Sequence, residues 1–285
     1  MAAKALPSAG TTRWRGALRR SSPAELTAAA VAAVGVALAA TMLLPDSGER
    51  HTRAGPAAAQ PAAGPRSGPA PESRRLSLSR PGRVSRYAFV ERPAVVRAGP
   101  RGAARSLGRL RTRTPDGTDE VVLVVQRRVD AGHVGWLRVR TPLLPTGTAG
   151  WVPSTDLSTL RRVHTWVVVE RSARRLTLIR DGRVVLRAPV GIGKPATPTP
   201  GGRFYIRDRL TGLRPGGMYG PEAFGTSARS TTVTDWPGGS VVGIHGTNRP
   251  DLIPGRVSHG CIRMRNADVV RVARLAPVGT PLTIR

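Results

Sequence analysis

From Ser85 onward the apolar residues of this chain come in runs of two to five, each stopped by a turn signal, a punctuation that helical bundles do not tolerate. Tyr87–Val90, Ala94–Arg97, Val121–Val125, Trp136–Val139 and Trp151-Val152 read as short strands. Gly99-Pro100, Pro115-Asp116-Gly117 and Pro145-Thr146-Gly147 separate them as turns. Their spacing predicts a small β module over residues 85–160. A second β-rich segment, residues 162–285, follows with strands expected at Trp166–Glu170, Leu176–Ile179, Val190–Lys194 and Phe204–Ile206. Asp181-Gly182 between two apolar runs is a two-residue hairpin signal. One helix is expected, Asn266–Leu275, with Asn266 and Asp268 at its start as cap and dipole partners, apolar Val269, Val272 and Ala273 at helical spacing, and Pro277 as its stop. The fold class is mainly β.

The region before Ser85 has a different character. Residues 1–25 carry Lys4, Arg13, Arg15, Arg19 and Arg20, and an apolar run from Leu26 to Leu44 follows. At about 1.5 Å per residue this run reaches roughly 28 Å, a membrane-spanning length. The basic flank places the N-terminus in the cytoplasm and everything after Pro45 outside. Residues 26–44 are read as a retained transmembrane signal anchor or as a signal peptide cleaved after the small-residue pattern Ala37-Leu38-Ala39. Pro, Ala, Gly and Ser make up 24 of the 40 residues from Pro45 to Val84, too little apolar surface to offset ordering, so 45–84 is expected to be a disordered linker. The expected whole is a membrane-anchored chain, or one secreted after cleavage, working in the cell envelope.

Charge and cysteine content narrow the function classes. The chain has 45 basic and 17 acidic residues, a net charge of +28, and only Lys4 and Lys194 are lysines. The 162–285 segment holds 20 of the basic and 7 of the acidic residues, so the charge is spread rather than gathered in one patch. That distribution fits an arginine-favouring genome and an anionic envelope. Nucleic acid is not an expected partner, because the topology puts the arginines outside the membrane and no nucleic-acid-binding motif is found. A single cysteine, Cys261, excludes intramolecular disulfides and Cys-rich zinc sites.

Reactive side chains concentrate around that cysteine. Ile244-His245-Gly246-Thr247-Asn248 is followed by Val257-Ser258-His259-Gly260-Cys261-Ile262-Arg263-Met264. A thiol becomes a nucleophile when an imidazole or local positive charge favours its thiolate, and both are present here. Gly260 leaves the backbone uncrowded, so that amides near the thiol can point at a developing oxyanion. The pattern fits acyl transfer through a thioester, with His245 at a strand end as general base. A metal site of His245, His259 and Cys261 lacks a fourth ligand at familiar spacing. A purely structural thiol would have an apolar neighbourhood rather than Ser258, His259 and Arg263.

His245, twelve intervening residues and then Ser258-His259-Gly260-Cys261-Ile262-Arg263-Met264 resemble the signature of the L,D-transpeptidase (YkuD-like) catalytic domain. Val190-Gly191-Ile192-Gly193-Lys194, Thr197-Pro198-Thr199-Pro200-Gly201-Gly202-Arg203-Phe204, Met218-Tyr219-Gly220-Pro221, Phe224-Gly225 and Pro277–Ile284 add to the likeness, which covers about Thr165 to Arg285. The resemblance implies a β-rich catalytic domain that acts on peptidoglycan stem peptides as acyl donor and amine acceptor, without cofactor or metal. It implies Cys261 as nucleophile, His245 as base, the Gly246 carbonyl as its orienting partner, and the amides of His259, Gly260 and Cys261 as oxyanion donors. Ser258 supports the site, and Arg263 binds a substrate carboxylate or braces the turn. Tyr219 and Phe224 lie in a Gly-rich stretch, residues 211–239, expected to be a substrate flap or a surface loop. The implied product is a 3-3 cross-link with release of D-alanine; water as acceptor would give an L,D-carboxypeptidase, and a protein amine a wall-attaching transferase. Acylation of the same thiol by carbapenems is also implied.

Residues 86–157 resemble the bacterial SH3-like modules of wall enzymes through Ala94–Pro100, Gly135–Val139 and Gly150–Pro153. Trp136 and Trp151 there are either a ligand surface or packing. A contrasting reading of the whole chain is a non-catalytic cell-wall or polyanion binder whose arginines are the function. Nothing in the sequence sets the oligomeric state.

Overall fold

Short strands hide their polar edges only by pairing, and here they pair into two sheets. The computed structural model describes residues 74–285 apart from 131–132, 211–212, 215 and 234–239. The expected N-terminal segment 1–25, the apolar run 26–44 and the linker as far as residue 73 lie outside the described residues. Among the described residues no helix is long and apolar enough to cross a membrane.

The first sheet has the order β4 (Ser106–Leu110), β3 (Ala94–Arg97), β7 (Ala149–Pro153), β6 (His133–Arg140), β5 (Val121–Asp130), β2 (Ser85–Phe89), β8 (Arg161–Val163), with β1 (Arg74–Ser77) beside β5. Its pairings are antiparallel. Val96, Leu110, Val122, Val124, Val139 and Val152 close an apolar core, each such side chain contributing roughly 1.5–3 kcal/mol by burial. Two expected boundaries move. Arg74–Ser77 pairs with Gln126–Val129, so the last residues of the expected linker belong to the sheet: β5 offers a free edge that the alternating Leu76 and Leu78 can cover. Arg161–Val163 pairs with Ser85–Tyr87, so the sheet runs past residue 160. Trp151 is buried, which makes it packing rather than an open ligand surface.

The second sheet has the order β12 (Gly202–Tyr205), β17 (Pro281–Ile284), β9 (Thr165–Glu170), β10 (Arg175–Arg180), β11 (Arg183–Gly193), β16 (Ile262–Met264), β14 (Val241–His245), β13 (Ala223–Arg229), with β15 (Gly255–Ser258) on β11. The β10–β11 hairpin turns at Asp181-Gly182, both with positive φ as a tight two-residue turn requires. Helix α1 spans Asn266–Leu275, as its spacing predicts, and buries Val269 and Val272 in the core of this sheet. Its N-cap is Arg265 with no side-chain cap bond; the Asn266 carboxamide, expected to cap, is used elsewhere. The stretch expected as a flap contains β13, so its centre is a sheet strand.

A third apolar cluster joins the sheets: Tyr87, Val121, Leu123 and Val163 of the first pack against Tyr205 of the second. Tyr205 Oη donates to the Val121 carbonyl at 3.0 Å, and the Arg207 guanidinium grips both oxygens of Glu120, its Nε at 2.8 Å. Both partners of this pair are at most 5 % exposed.

Candidate active site

The alternation of β14 and β16 builds the reactive face. On β14, Val242 and Ile244 point into the core, so Gly243 and His245 share the opposite face. On β16, Ile262 and Met264 are buried and Arg263 projects the other way. The two strands run parallel with Ile244 beside Ile262 and His245 beside Arg263. Cys261, the residue just before β16, therefore arrives next to Gly243. The Gly243 N–H lies 3.4 Å from Cys261 Sγ as donor. A methyl group built on Gly243 would sit 3.9 Å from that sulfur and 3.8 Å from His245 Cδ2, so thiol and imidazole converge on one hydrogen-bearing Cα.

His245 is 3 % exposed, and its Nδ1–H donates to the Gly246 carbonyl at 2.6 Å. That bond fixes the proton on Nδ1 and leaves Nε2 as the basic nitrogen. The Tyr219 ring stands edge-on to the imidazole at 4.9 Å between centroids. Burial lowers the His245 pKa to about 4, more than the Gly246 carbonyl raises it, and Arg263 lowers it further. Burial also pushes the Cys261 thiol up, against the Gly243 N–H and the Arg263 charge, which both pull it down. The resting pair is accordingly neutral thiol and neutral imidazole. The expected activation by local positive charge is outweighed by desolvation, so the thiol would have to lose its proton in the course of any reaction as a nucleophile.

The loop carrying the thiol is braced from within. Gly260 has φ +121, a conformation only glycine adopts easily, and this turns the chain sharply before Cys261. Ser258, fully buried, donates its hydroxyl to the Cys261 carbonyl at 2.6 Å and accepts the Gly260 N–H at 3.1 Å. Gly260 thus gives up its amide to Ser258, which removes it from the expected set of oxyanion donors. Thr199 is the residue that sequence reasoning missed. Its buried hydroxyl donates to the Gly260 carbonyl at 2.8 Å and accepts the Gly193 N–H at 2.9 Å. Lys194 N–H and Thr197 Oγ1 both donate to the Ser258 carbonyl, at 3.0 and 3.3 Å. The Thr-Pro-Thr-Pro run is therefore the clamp on the Ser258–Cys261 turn. Asn266, expected to cap α1, instead accepts the Thr247 N–H on Oδ1 at 2.8 Å and tethers the segment after His245 to the start of the helix.

Cys261, His245, His259, Ser258, Arg263 and Tyr219 all line one cleft of about 480 Å³. Its remaining wall is mostly apolar, including Leu210, Leu213 and Met218. His259 is exposed at the rim. Arg263 Nε is buried with no hydrogen-bond partner. Phe224, expected to touch substrate, is among the residues lining the cleft but is 1 % exposed and packs in the core of the sheet. Among the described residues no three His, Cys, Asp or Glu side chains are grouped as metal ligands.

Residues 164–284 match the sequence pattern of the YkuD family, described as the L,D-transpeptidase catalytic domain. The L,D-transpeptidase candidate YkuD of Bacillus subtilis is 40 % identical over 118 residues, which cover 41 % of this chain and 64 % of that protein. A second candidate from the same organism, YqjB, is 33 % identical over 129 residues, covering 42 % of this chain and 70 % of the relative. The chain thus spans less than two thirds of YkuD. Among solved structures, the catalytic domain of an E. faecium L,D-transpeptidase is 26 % identical, with 42 % of this chain and 96 % of that one covered and a TM-score of 0.32.

Proposed function

Because the chain belongs to the L,D-transpeptidase family, we propose that it is a cysteine-dependent acyltransferase that forms 3-3 cross-links between peptidoglycan stem peptides. The observation that carries this reading is the convergence of Cys261 Sγ and the His245 imidazole on Gly243, at the wall of a cleft large enough for a peptide. Cys261 Sγ attacks the carbonyl of the third stem residue, a diamino acid, while its proton passes to His245 Nε2. The tetrahedral oxyanion is held by main-chain N–H groups near the thiol, Gly260 excepted. The C–N bond to the terminal D-alanine breaks, and the departing amine takes the proton from His245. A side-chain amine of a second stem then attacks the thioester, returns a proton through His245 to the sulfur, and leaves an amide cross-link. Arg263, whose Nε lacks a partner, takes the carboxylate of the departing residue.

We place this activity outside the cytoplasmic membrane, with residues 26–44 as anchor or cleaved leader and the described residues in the envelope. Incubation of the protein with a disaccharide-tetrapeptide, followed by mass spectrometry of the products, tests the reading. The expected product is a cross-linked dimer with free D-alanine. A tripeptide alone would identify water as the acceptor, and unchanged substrate would support the polyanion-binding alternative.

A further inference from the structure

The described lining of the cleft contains one carboxylate, Asp116, and it comes from the other sheet. Asp116 stands at the tip of the turn joining β4 to β5. We propose that Asp116 determines donor specificity by taking an ammonium group on the acyl donor, so that the N-terminal sheet completes the donor subsite of the catalytic one. This rests on the acyl-donor reading above and adds to it the chemistry of the group recognised.

The turn is built to hold a side chain in place. Thr114 N–H donates to the Thr118 carbonyl at 2.9 Å, Gly117 N–H to Thr114 at 3.1 Å, and Glu120 N–H to Thr112 at 2.9 Å. The neighbouring cation, Arg113, is engaged by the Gly117 carbonyl and by Asp119 at 3.2 Å. Asp116 remains exposed, with no salt bridge to any described residue. Four residues further on, the turn is tied down by the buried Glu120–Arg207 pair and by Tyr205 on the Val121 carbonyl. A buried ion pair adds little net stability because both charges lose water, but it fixes register strongly, since any other alignment would leave one of them unpaired.

The place where the turn is held has consequences for substrate. The negative charge of Asp116 is near enough to Asp208 to contribute to the raised affinity of that carboxyl for its proton, behind the larger effect of burial. Asp208 in turn accepts the Gly225 N–H at 2.8 Å, and Gly225 pairs with Gly243 across one strand spacing of about 4.8 Å. Gly243 is the residue whose amide touches Cys261 Sγ. Asp116 and Cys261 line the same cleft. The other permanent charge in the described lining is Arg263. In a chain of net charge +28, a cation entering this cleft is repelled unless a carboxylate receives it. A donor bearing a carboxylate on its leaving residue and an ammonium on the side chain of the attacked residue is then held in one direction, carboxylate to Arg263 and ammonium to Asp116.

The test uses single-turnover acyl-enzyme formation with two tetrapeptide donors, one with a free side-chain amine and one acetylated at that amine. Asp116→Asn is expected to slow acylation by the free-amine donor about tenfold and to leave the acetylated donor unchanged. Asp116→Glu should restore most of the rate, and the wild-type preference for the free amine should shrink as salt is added. A carbapenem without an amine should acylate wild type and both variants equally, showing the site intact. Equal slowing of both donors by Asp116→Asn, or no slowing of either, would overturn the inference while leaving the acyltransferase reading in place. Wild-type protein that forms no acyl-enzyme with either donor would overturn the acyltransferase reading, and the inference with it.

Discussion

The two sheets are made of similar short strands on the same arginine-rich background, yet they bury different things. Of the sixteen polar or charged residues buried among the described ones, four precede residue 164 and twelve follow it. The first sheet closes on valines and leucines, and its most buried charge, Glu120, points across to the second. The second sheet buries His245, Ser258, Thr199 and Asp208 beside an apolar core of its own. A buried polar group costs stability unless its bonds are satisfied, so such groups accumulate where geometry has to be fixed. The lesson is a division of labour: the first sheet is a packed support, and the second spends part of its stability on holding a reactive loop.

That contrast can be broken most directly at His245. His245→Ala is expected to lower acyl-enzyme formation by about a thousandfold while the protein stays folded, as removal of a general base does. Single-turnover kinetics with circular dichroism checks it, and a loss under tenfold would mean the imidazole is only packing. In the first sheet the opposite pattern is expected. Leu110, 2 % exposed and not among the residues lining the cleft, should cost about 2–5 kcal/mol of stability as Leu110→Ala, read by urea denaturation. The fraction that remains folded should acylate at the wild-type rate.

The pH dependence sharpens the comparison, since the buried neutral imidazole belongs to the second sheet alone. An unfolded histidine binds its proton near pH 6.5, whereas His245 in the fold does so only near pH 4. Between those values the unfolded chain holds more protons, so stability falls as pH drops through this window, by about 3 kcal/mol in full. Urea titrations at pH 7 and 4.5 should show this loss in wild type and not in His245→Gln. Acylation should stay flat from pH 8 to about 5, with its acid limb near 4; a limb near 6.5 would mean an exposed imidazole. A smaller effect is expected at the clamp. Thr199→Val leaves the Gly260 carbonyl and the Gly193 amide unsatisfied and should slow acylation about tenfold, with about 1–3 kcal/mol of lost stability.

What the sequence disclosed and what it hid follow from the range of the interactions. Helix α1 and the Asp181-Gly182 hairpin are local, and their signals lie within the residues that form them. Cys261 and His245 stand out as a candidate pair because few residue types can supply a nucleophile and a base, and the fold brings both to one cleft. β13 lies inside the Gly-rich stretch expected to be a flap or a surface loop; Ala223–Arg229 is buried on both faces and so lacks the alternation that marks a half-exposed strand. Thr199 acts on Gly260 across 61 positions, and a threonine between two prolines reads as a turn until that partner is known. Asn266 looked like a helix cap because the cap rule is local, while its partner Thr247 is 19 residues away. Asp116 was only a turn residue until the buried pair at Glu120 tied its loop to the other sheet.

If Cys261 is the acylated nucleophile of this cleft, covalent modification must follow that thiol alone. Intact-mass and peptide-level mass spectrometry after exposure to a carbapenem tests it in wild type and in Cys261→Ala. One adduct per chain is expected in the wild type, mapped to the peptide containing Cys261, and none in the variant. An unmodified wild-type mass after long exposure, or an adduct that persists in Cys261→Ala, would contradict it.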